Sequence, residues 1–239
     1  MVTDVLACVE IGGSATETVL FSPDGTVTRV DGAKRPSGAR LGVATPGIVE
    51  GGRVVAASSL GWFDVDPAEA LGLGLSADVV LNDAEAAALG EVALRDGVND
   101  VVYICVGTGI GAAVVQAGRV VATNLLGHAS GYSQRECLCG RVGCLETVAA
   151  GWAVPDPLGS GDLDAMAAAI VDALRREERA VPPLVVLAGG VARRYPALAE
   201  RVAARAAERV VEGSAAPAGF KSAAAWGVRA ALAQMHVRR

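Results

Sequence analysis

Aromatic residues are scarce: three Trp, three Tyr and three Phe make up 4% of 239 residues. Rings cannot fill the interior, so the core must be built mostly from Val, Leu and Ala. Basic residues are outnumbered, with 21 Lys and Arg against 26 Asp and Glu and a formal net charge of −5. An acidic chain repels a phosphate backbone at long range, so general nucleic-acid binding is not expected. No low-complexity tail and no block of like charges is present, and 52% apolar with 20% charged residues excludes a disordered chain. The opening residues, MVTDVLACVE, lack the basic segment and cleavage pattern of a signal peptide. With no export signal and an odd cysteine count of five, a disulfide framework is not expected, and a cytoplasmic setting is. The chain has no Walker sequence, and its glycine turns do not fit a Rossmann fingerprint.

One uncharged window, Val101–Gly118, has the length of a membrane span. Gly107, Gly109 and Gly111 interrupt it between β-branched runs, so strand, glycine turn and strand is the expectation, with no membrane partner. Glycine itself is abundant, 30 residues, too many for a helical bundle and a sign of many tight turns.

Val5–Val9, Thr18–Phe21 and Val27–Val30 read as a meander of strands. Asp31–Arg40 reads as a loop, and Leu41–Ala44, Val54–Ala57 and Val79–Leu81 as further strands. Ala84–Arg95 favours helix, with Asn82 or Asp83 placed to cap it. Val101–Val106, Ala112–Gln116 and Val120–Thr123 repeat the opening meander. Leu163, Met166, Ile170 and Leu174 recur at helical spacing behind a cap at Asp162. Leu184–Leu187 is expected to be a strand, with helices near Ala197–Glu212 and Ser222–Met235. Strands thus come in two groups, each opening with a meander and closing in helices. Two α/β lobes are predicted, residues 1–97 and 98–239, with a ligand in the cleft between them.

The most specific local signal runs from Gly127 to Glu146. His128, Cys137, Cys139 and Cys144 offer one imidazole and three thiols, a standard closed set for structural zinc. Left empty, the same residues would be three free thiols and a surface histidine. Three glycine turns follow strands: Gly12-Gly13-Ser14, Gly107-Thr108-Gly109-Ile110-Gly111 and Gly189-Gly190. Backbone N–H groups in such turns can cradle phosphate oxygens, and three turns in two lobes suit a nucleotide. Asp83 ends a buried strand, the end that faces the ligand crevice in α/β folds. There it is either a proton acceptor for an attacking hydroxyl or a helix cap. Glu10 also ends a strand, and is either a holder of Mg²⁺ through water or an exposed edge carboxylate.

These residues together resemble the ROK family of repressors, open reading frames and sugar kinases. Glu10-Ile11-Gly12-Gly13-Ser14 is similar to its first phosphate motif, and Gly107-Thr108-Gly109-Ile110-Gly111 to its second. Gly42-Val43-Ala44-Thr45-Pro46-Gly47 resembles its sugar-side loop, and Asn82–Glu91 its catalytic segment. Gly127–Glu146 resembles its zinc signature, and Gly189-Gly190-Val191 its adenosine-side turn. The resemblance implies an actin-like, hexokinase-like ATPase fold with two α/β lobes around a cleft. It implies phosphoryl transfer from Mg·ATP to a hydroxyl of a hexose or modified hexose, with Asp83 as general base. Asn82, His128 and Glu146 would hold sugar hydroxyls, with Pro46, Gly47 and Ser59 in the sugar-side loop. His128 would be shared with the zinc, and a homodimer is implied.

The chain also departs from the family pattern. Glu10 stands where the first motif has Asp, Ser59 where the sugar-side loop has Asn, and Leu125 where a sugar-binding Glu precedes the zinc histidine. The loop Asp31–Arg40 and the stretch between Glu146 and Gly189 are short for the family. The alternative reading is therefore a sugar-binding or structural relative without turnover. A repressor is not expected, because a core strand beginning at Val5 leaves no room for a helix-turn-helix before it.

Overall fold

A computed structural model describes residues 5–12, 15–74, 76–123, 126–177, 182, 184–207 and 209–237. The chain forms two compact units, Met1–Asp96 with Ala216–Arg239, and Gly97–Ala215.

The first unit is built on β1 (Leu6–Ile11), β2 (Thr16–Phe21) and β3 (Val27–Asp31), an antiparallel meander. Two strands, β4 (Arg40–Thr45) and β8 (Val79–Asn82), run parallel to β1, giving the sheet order β3-β2-β1-β4-β8. Buried on both faces, β1 and β4 read as apolar runs. Between β4 and β8 the chain makes a small antiparallel sheet of β5 (Ile48–Glu50), β6 (Arg53–Ala57) and β7 (Trp62–Val65), then the short helix α1 (Pro67–Ala70). Of that sheet only β6 is predicted from the sequence.

Helix α2 (Asp83–Ala93) follows β8. Its partner is the last helix of the chain, α7 (Ala224–Val237), which belongs to this unit and not to the second. The expected second lobe of residues 98–239 therefore stops at Ala215. The cause is steric. A Cβ on Gly90 would lie 1.8 Å from the Ala223 carbonyl oxygen, and one on Gly227 1.8 Å from that of Ala86. Glycine on each side lets the two backbones approach where any Cβ would clash.

The second unit repeats the plan. Strands β9 (Val101–Val106), β10 (Ile110–Gln116) and β11 (Arg119–Thr123) form the meander, and β12 (Leu184–Ala188) and β13 (Val210–Gly213) run parallel to β9. The uncharged window is thus a strand hairpin, and among the described residues no helix is long and apolar enough to cross a membrane. Helices α3 (Glu146–Ala149), α4 (Ser160–Arg176), α5 (Gly190–Arg194) and α6 (Ala197–Arg205) complete the unit. Leu163, Met166, Ile170 and Leu174 all face its core, as their spacing predicts. Two boundaries differ from expectation. Asp162 lies inside α4 and reaches back, its carboxylate accepting from Gly159 N at 2.8 Å. The helix expected to run to Glu212 ends at Arg205, because Val210 and Val211 pair with β12 instead.

Both units carry the same sheet, three antiparallel strands extended by two parallel ones, and the protein has the actin-like ATPase fold.

Candidate active site

In the first unit, β8 delivers Asn82 and Asp83 to the start of α2. Asn82 is the N-cap: its Oδ1 accepts from Ala84 N at 2.9 Å and Glu85 N at 3.3 Å, while Glu85 Oε2 accepts from Asn82 N. This reciprocal pair satisfies donors that the helix start leaves open. Asn82 Nδ2 donates to Gly47 O at 2.9 Å, fastening the loop after β4 to the helix. Asn82 is therefore buried and occupied as a cap, and Asp83, one residue on, is not the cap. Burial pushes the Asp83 carboxyl above the usual carboxylate range, against the Ala84 N–H and the positive charge of Lys221. A base held this way is poised closer to neutral pH. Pro46 and Gly47, which follow Thr45, the partner of Asn82 in the β4–β8 ladder, are half-buried, and Ser59 is exposed in a 3₁₀ turn.

Glu10, near the end of β1, is not an exposed edge carboxylate but 6% exposed. Ser222 Oγ donates to its Oε1 at 2.9 Å, and Lys221 Nζ lies 3.7 Å from the same oxygen. Its Oε2 is buried with no hydrogen-bond partner. Burial is the main force on this carboxyl, pushing it up to about 7 against Lys221 and Ser222, with Glu17 and Asp83 adding repulsion. Gly12 opens the first turn, donating from its N to Ala15 O at 3.0 Å. Gly13 and Ser14, also expected in that turn, lie outside the described residues, as does Leu125.

In the second unit, Glu146 opens α3 and is buried. Ile110 N donates to its Oε1 at 2.7 Å, and Trp152 Nε1 to its Oε2 at 3.4 Å. A backbone bond, Glu146 N to Gly127 O, sets it beside the loop that starts at Gly127. In that loop His128, Cys137, Cys139 and Cys144 place their ligand atoms within 4.8 Å of one another. Cys137 Sγ is 3.8 Å from His128 Nδ1, and Cys139 Sγ is 3.7 Å from Cys144 Sγ. Zinc–sulfur bonds of about 2.3 Å in a tetrahedron set the ligands ~3.8 Å apart, so donor chemistry and spacing both fit a structural zinc. Cys137 Sγ also lies 3.8 Å from Glu146 Oε2, so an ion held here would fix the loop against Glu146.

The second and third glycine turns meet in this unit. Gly107 N donates to Gly109 O at 3.0 Å, while Gly151 N donates to Gly107 O at 2.8 Å. A Cβ on Gly107 would lie 3.9 Å from Gly190 N. Gly189 has φ of +98°, and a Cβ there would strike Val106 O at 2.4 Å, so only glycine fits. Thr108 is exposed at the tip, and Gly111 lies in β10 opposite Cys105.

The structure thus groups Glu10, Gly12, Gly47, Asn82 and Asp83 within one unit, and Glu146, the four zinc-type ligands, Gly107, Thr108, Gly109, Gly111, Gly189 and Gly190 within the other. Sequence reasoning missed Lys221, Ser222 and Trp152. The bond from Ser222 to Glu10 spans 212 residues, so no local pattern could announce it.

Residues 25–193 match the model of the ROK family. An N-acetylmannosamine kinase of Escherichia coli O6:H1 is 31% identical over 183 residues, 63% of this chain and 62% of that protein. The chain thus spans less than two thirds of that relative's length. A ROK hexokinase from Thermus thermophilus superposes with a TM-score of 0.68 at 23% identity, over 98% of this chain and 99% of that one. A ROK family glucokinase from Streptomyces griseus, in complex with glucose and AMPPNP, gives 0.72 at 19% identity, over 96% of this chain and 99% of that one.

Proposed function

The chain belongs to the ROK family, and we propose that it is an ATP-dependent sugar kinase acting on a hydroxyl of a hexose or modified hexose. The observation that carries this reading is Asp83, a carboxylate with a raised proton affinity at the tip of β8, in the unit that also holds the first glycine turn. The sugar hydroxyl oxygen attacks the terminal phosphorus of ATP as the bond from phosphorus to the bridging oxygen breaks. The hydroxyl proton passes to the Asp83 carboxylate, and ADP leaves. Phosphoryl transfer depends on positioning and charge more than on covalent help from the protein. In this reading Glu146 and His128 hold sugar hydroxyls, the Gly107–Gly111 and Gly189-Gly190 turns hold the nucleotide, and Asn82 acts by anchoring the sugar-side loop through Gly47. Zinc would be held by His128, Cys137, Cys139 and Cys144, with no open position for water, and would shape the sugar seat.

Mg²⁺ supplies charge neutralisation when it arrives with the nucleotide. Glu10 is a poor holder for it, since the Lys221 ammonium already stands 3.7 Å from its one bonded oxygen. The homologues named above are kinases of N-acetylmannosamine, hexose and glucose, which supports the substrate class. A homodimer working in the cytoplasm belongs to the same proposal.

The test is ADP release across a panel of hexoses and amino sugars, with Asp83→Asn as control. One sugar should support turnover, and Asp83→Asn should lower kcat by at least ~10²-fold while sugar binding by calorimetry is spared. Equal rates would remove Asp83 from the role of base. Sugar binding without turnover in the wild type would favour the second reading, a relative that binds but does not transfer. The tie of Glu10 to Ser222 and Lys221 is what speaks for that reading.

A further inference from the structure

Glu146 opens α3, yet its carboxylate does not serve that helix. It reaches 36 residues back along the chain, where Oε1 accepts at 2.7 Å from Ile110 N, in the second glycine turn. Two glycines make room for it. A Cβ on Gly109 would lie 2.6 Å from Oε1, and one on Gly127 would lie 3.4 Å from the same oxygen and 2.2 Å from Ile110 O. The far end of the same segment closes on the turn as well. Gly151 N donates to Gly107 O at 2.8 Å and Trp152 N to Thr108 O at 3.3 Å, and a Cβ on Gly151 would lie 2.7 Å from Gly107 O. The Trp152 indole then returns to the carboxylate, Nε1 donating to Glu146 Oε2 over a long 3.4 Å. Arg135 steadies the indole in turn. Its guanidinium stands 5.7 Å over the ring, and Nη1 donates to Thr147 O and Ala153 O, each at 2.9 Å.

These bonds sort the polar groups of the turn. The carbonyls of Gly107, Thr108 and Gly109 are all taken, by Gly151 N, Trp152 N and Gly107 N. Ile110 N is taken by Glu146. Among the described residues, the N–H groups of Thr108 and Gly109 have no hydrogen-bond partner. Backbone N–H groups of such a turn are donors suited to phosphate oxygens. A carboxylate close by would repel phosphate if its own charge were unmet. Glu146 is 8% exposed, and its two oxygens meet the Ile110 N–H and the Trp152 indole N–H, with Cys137 Sγ 3.8 Å from Oε2. Its work at the turn is therefore to set shape.

We propose that Glu146 is a positioning residue for the nucleotide: held by Trp152, its carboxylate fixes the second glycine turn in the shape that leaves the Thr108 and Gly109 N–H groups for phosphate. This rests on the kinase reading and adds to the sugar contact given to Glu146 there. Without the carboxylate, Ile110 N loses its acceptor and the turn loses one of the bonds that fix it.

The experiment is calorimetric binding of tripolyphosphate, a non-hydrolysable ATP analogue and adenosine to wild type, Glu146→Ala, Glu146→Gln and Trp152→Phe. Sugar is left out, so that any sugar contact of Glu146 does not enter. Loss of the charge-assisted hydrogen bond that fixes the turn should weaken tripolyphosphate and the analogue by on the order of tenfold in Glu146→Ala. Glu146→Gln should recover part of that loss, since its amide oxygen can still accept from Ile110 N. Trp152→Phe keeps a ring for Arg135 and removes the indole donor, so it should weaken both ligands severalfold. Adenosine carries no phosphate and should bind every variant as it binds wild type. If Glu146→Ala does not fold, Trp152→Phe carries the test. Unchanged or tighter tripolyphosphate binding in the folded variant would overturn the inference and leave the kinase reading standing. An equal loss of adenosine affinity would overturn it as well, because the residue would then support the second unit at large and not the turn. A wild type that binds neither the analogue nor tripolyphosphate would overturn the inference and the kinase reading together.

Discussion

Replacing Glu10 by Gln should stabilise the protein in mild alkali and do almost nothing in mild acid. The folded Glu10 carboxyl keeps its proton up to about pH 7, whereas the ordinary value is 4.5. Between those values the folded state binds more protons than the unfolded one, so this group lowers stability as pH rises. A shift from 4.5 to about 7, at about 1.4 kcal/mol per unit, corresponds to about 3 kcal/mol once Glu10 is ionised in both states. The side chain is 7% exposed, so solvent screens little of this. The attraction of Lys221 is already contained in the shift, and Gln keeps an oxygen for the Ser222 hydroxyl. Urea unfolding of both proteins from about pH 4 to about pH 8.5 isolates the effect, because every other titrating group is shared. The stability difference should open from near zero to about 3 kcal/mol, or roughly 6–12 °C in melting temperature for a chain of this size. A difference that stays flat across that range would refute the claim that a buried, half-satisfied carboxylate sits at the tip of β1.

Two further outcomes are expected. Purified protein should hold one zinc per chain by elemental analysis. Its removal by a chelator should lower the melting temperature by roughly several degrees and open the Gly127–Glu146 loop to proteolysis; protein without zinc would reduce the cluster to thiols. Gly227→Ala should cost about 3 kcal/mol or more in denaturant unfolding, because the added methyl would lie 1.8 Å from the Ala86 carbonyl oxygen in a backbone that cannot yield cheaply. A loss below about 1 kcal/mol would mean the two helices separate easily.

Most of the strands were legible because β1, β4, β9 and β12 are buried apolar runs closed by glycine or proline turns. The zinc-type ligands were legible because they are close together in the chain. Contacts between distant segments were not. Val210–Gly213 was read as the end of a helix, since a short run of Val, Val and Glu carries no strand signal until β12 offers it a ladder. Of the small sheet, β5 and β7 were missed although Gly51-Gly52 is a hairpin turn, because Ile48–Glu50 is only three residues long and Trp62–Val65 lacks clean alternation. The return of α7 to the first unit was invisible for a similar reason: Gly90 and Gly227 look like helix breakers until they are seen facing each other's helices. At the site, Asp83 and Asn82 were found by their place after a strand, but their division of labour was set by hydrogen bonds that reach Gly47 and Glu85. Lys221 had no signal but its rarity.

The discontinuous first unit has a consequence for biosynthesis. Its meander of β1 to β3 is made before the inserted unit, yet the helix that packs on α2 is made after it. The inserted unit, Gly97–Ala215, emerges whole in between and can mature while the earlier strands still wait for their cover. Loss of α7 would therefore injure strands made well before it, and the ammonium that holds the Ala15 carbonyl comes from a residue 206 positions further along the chain.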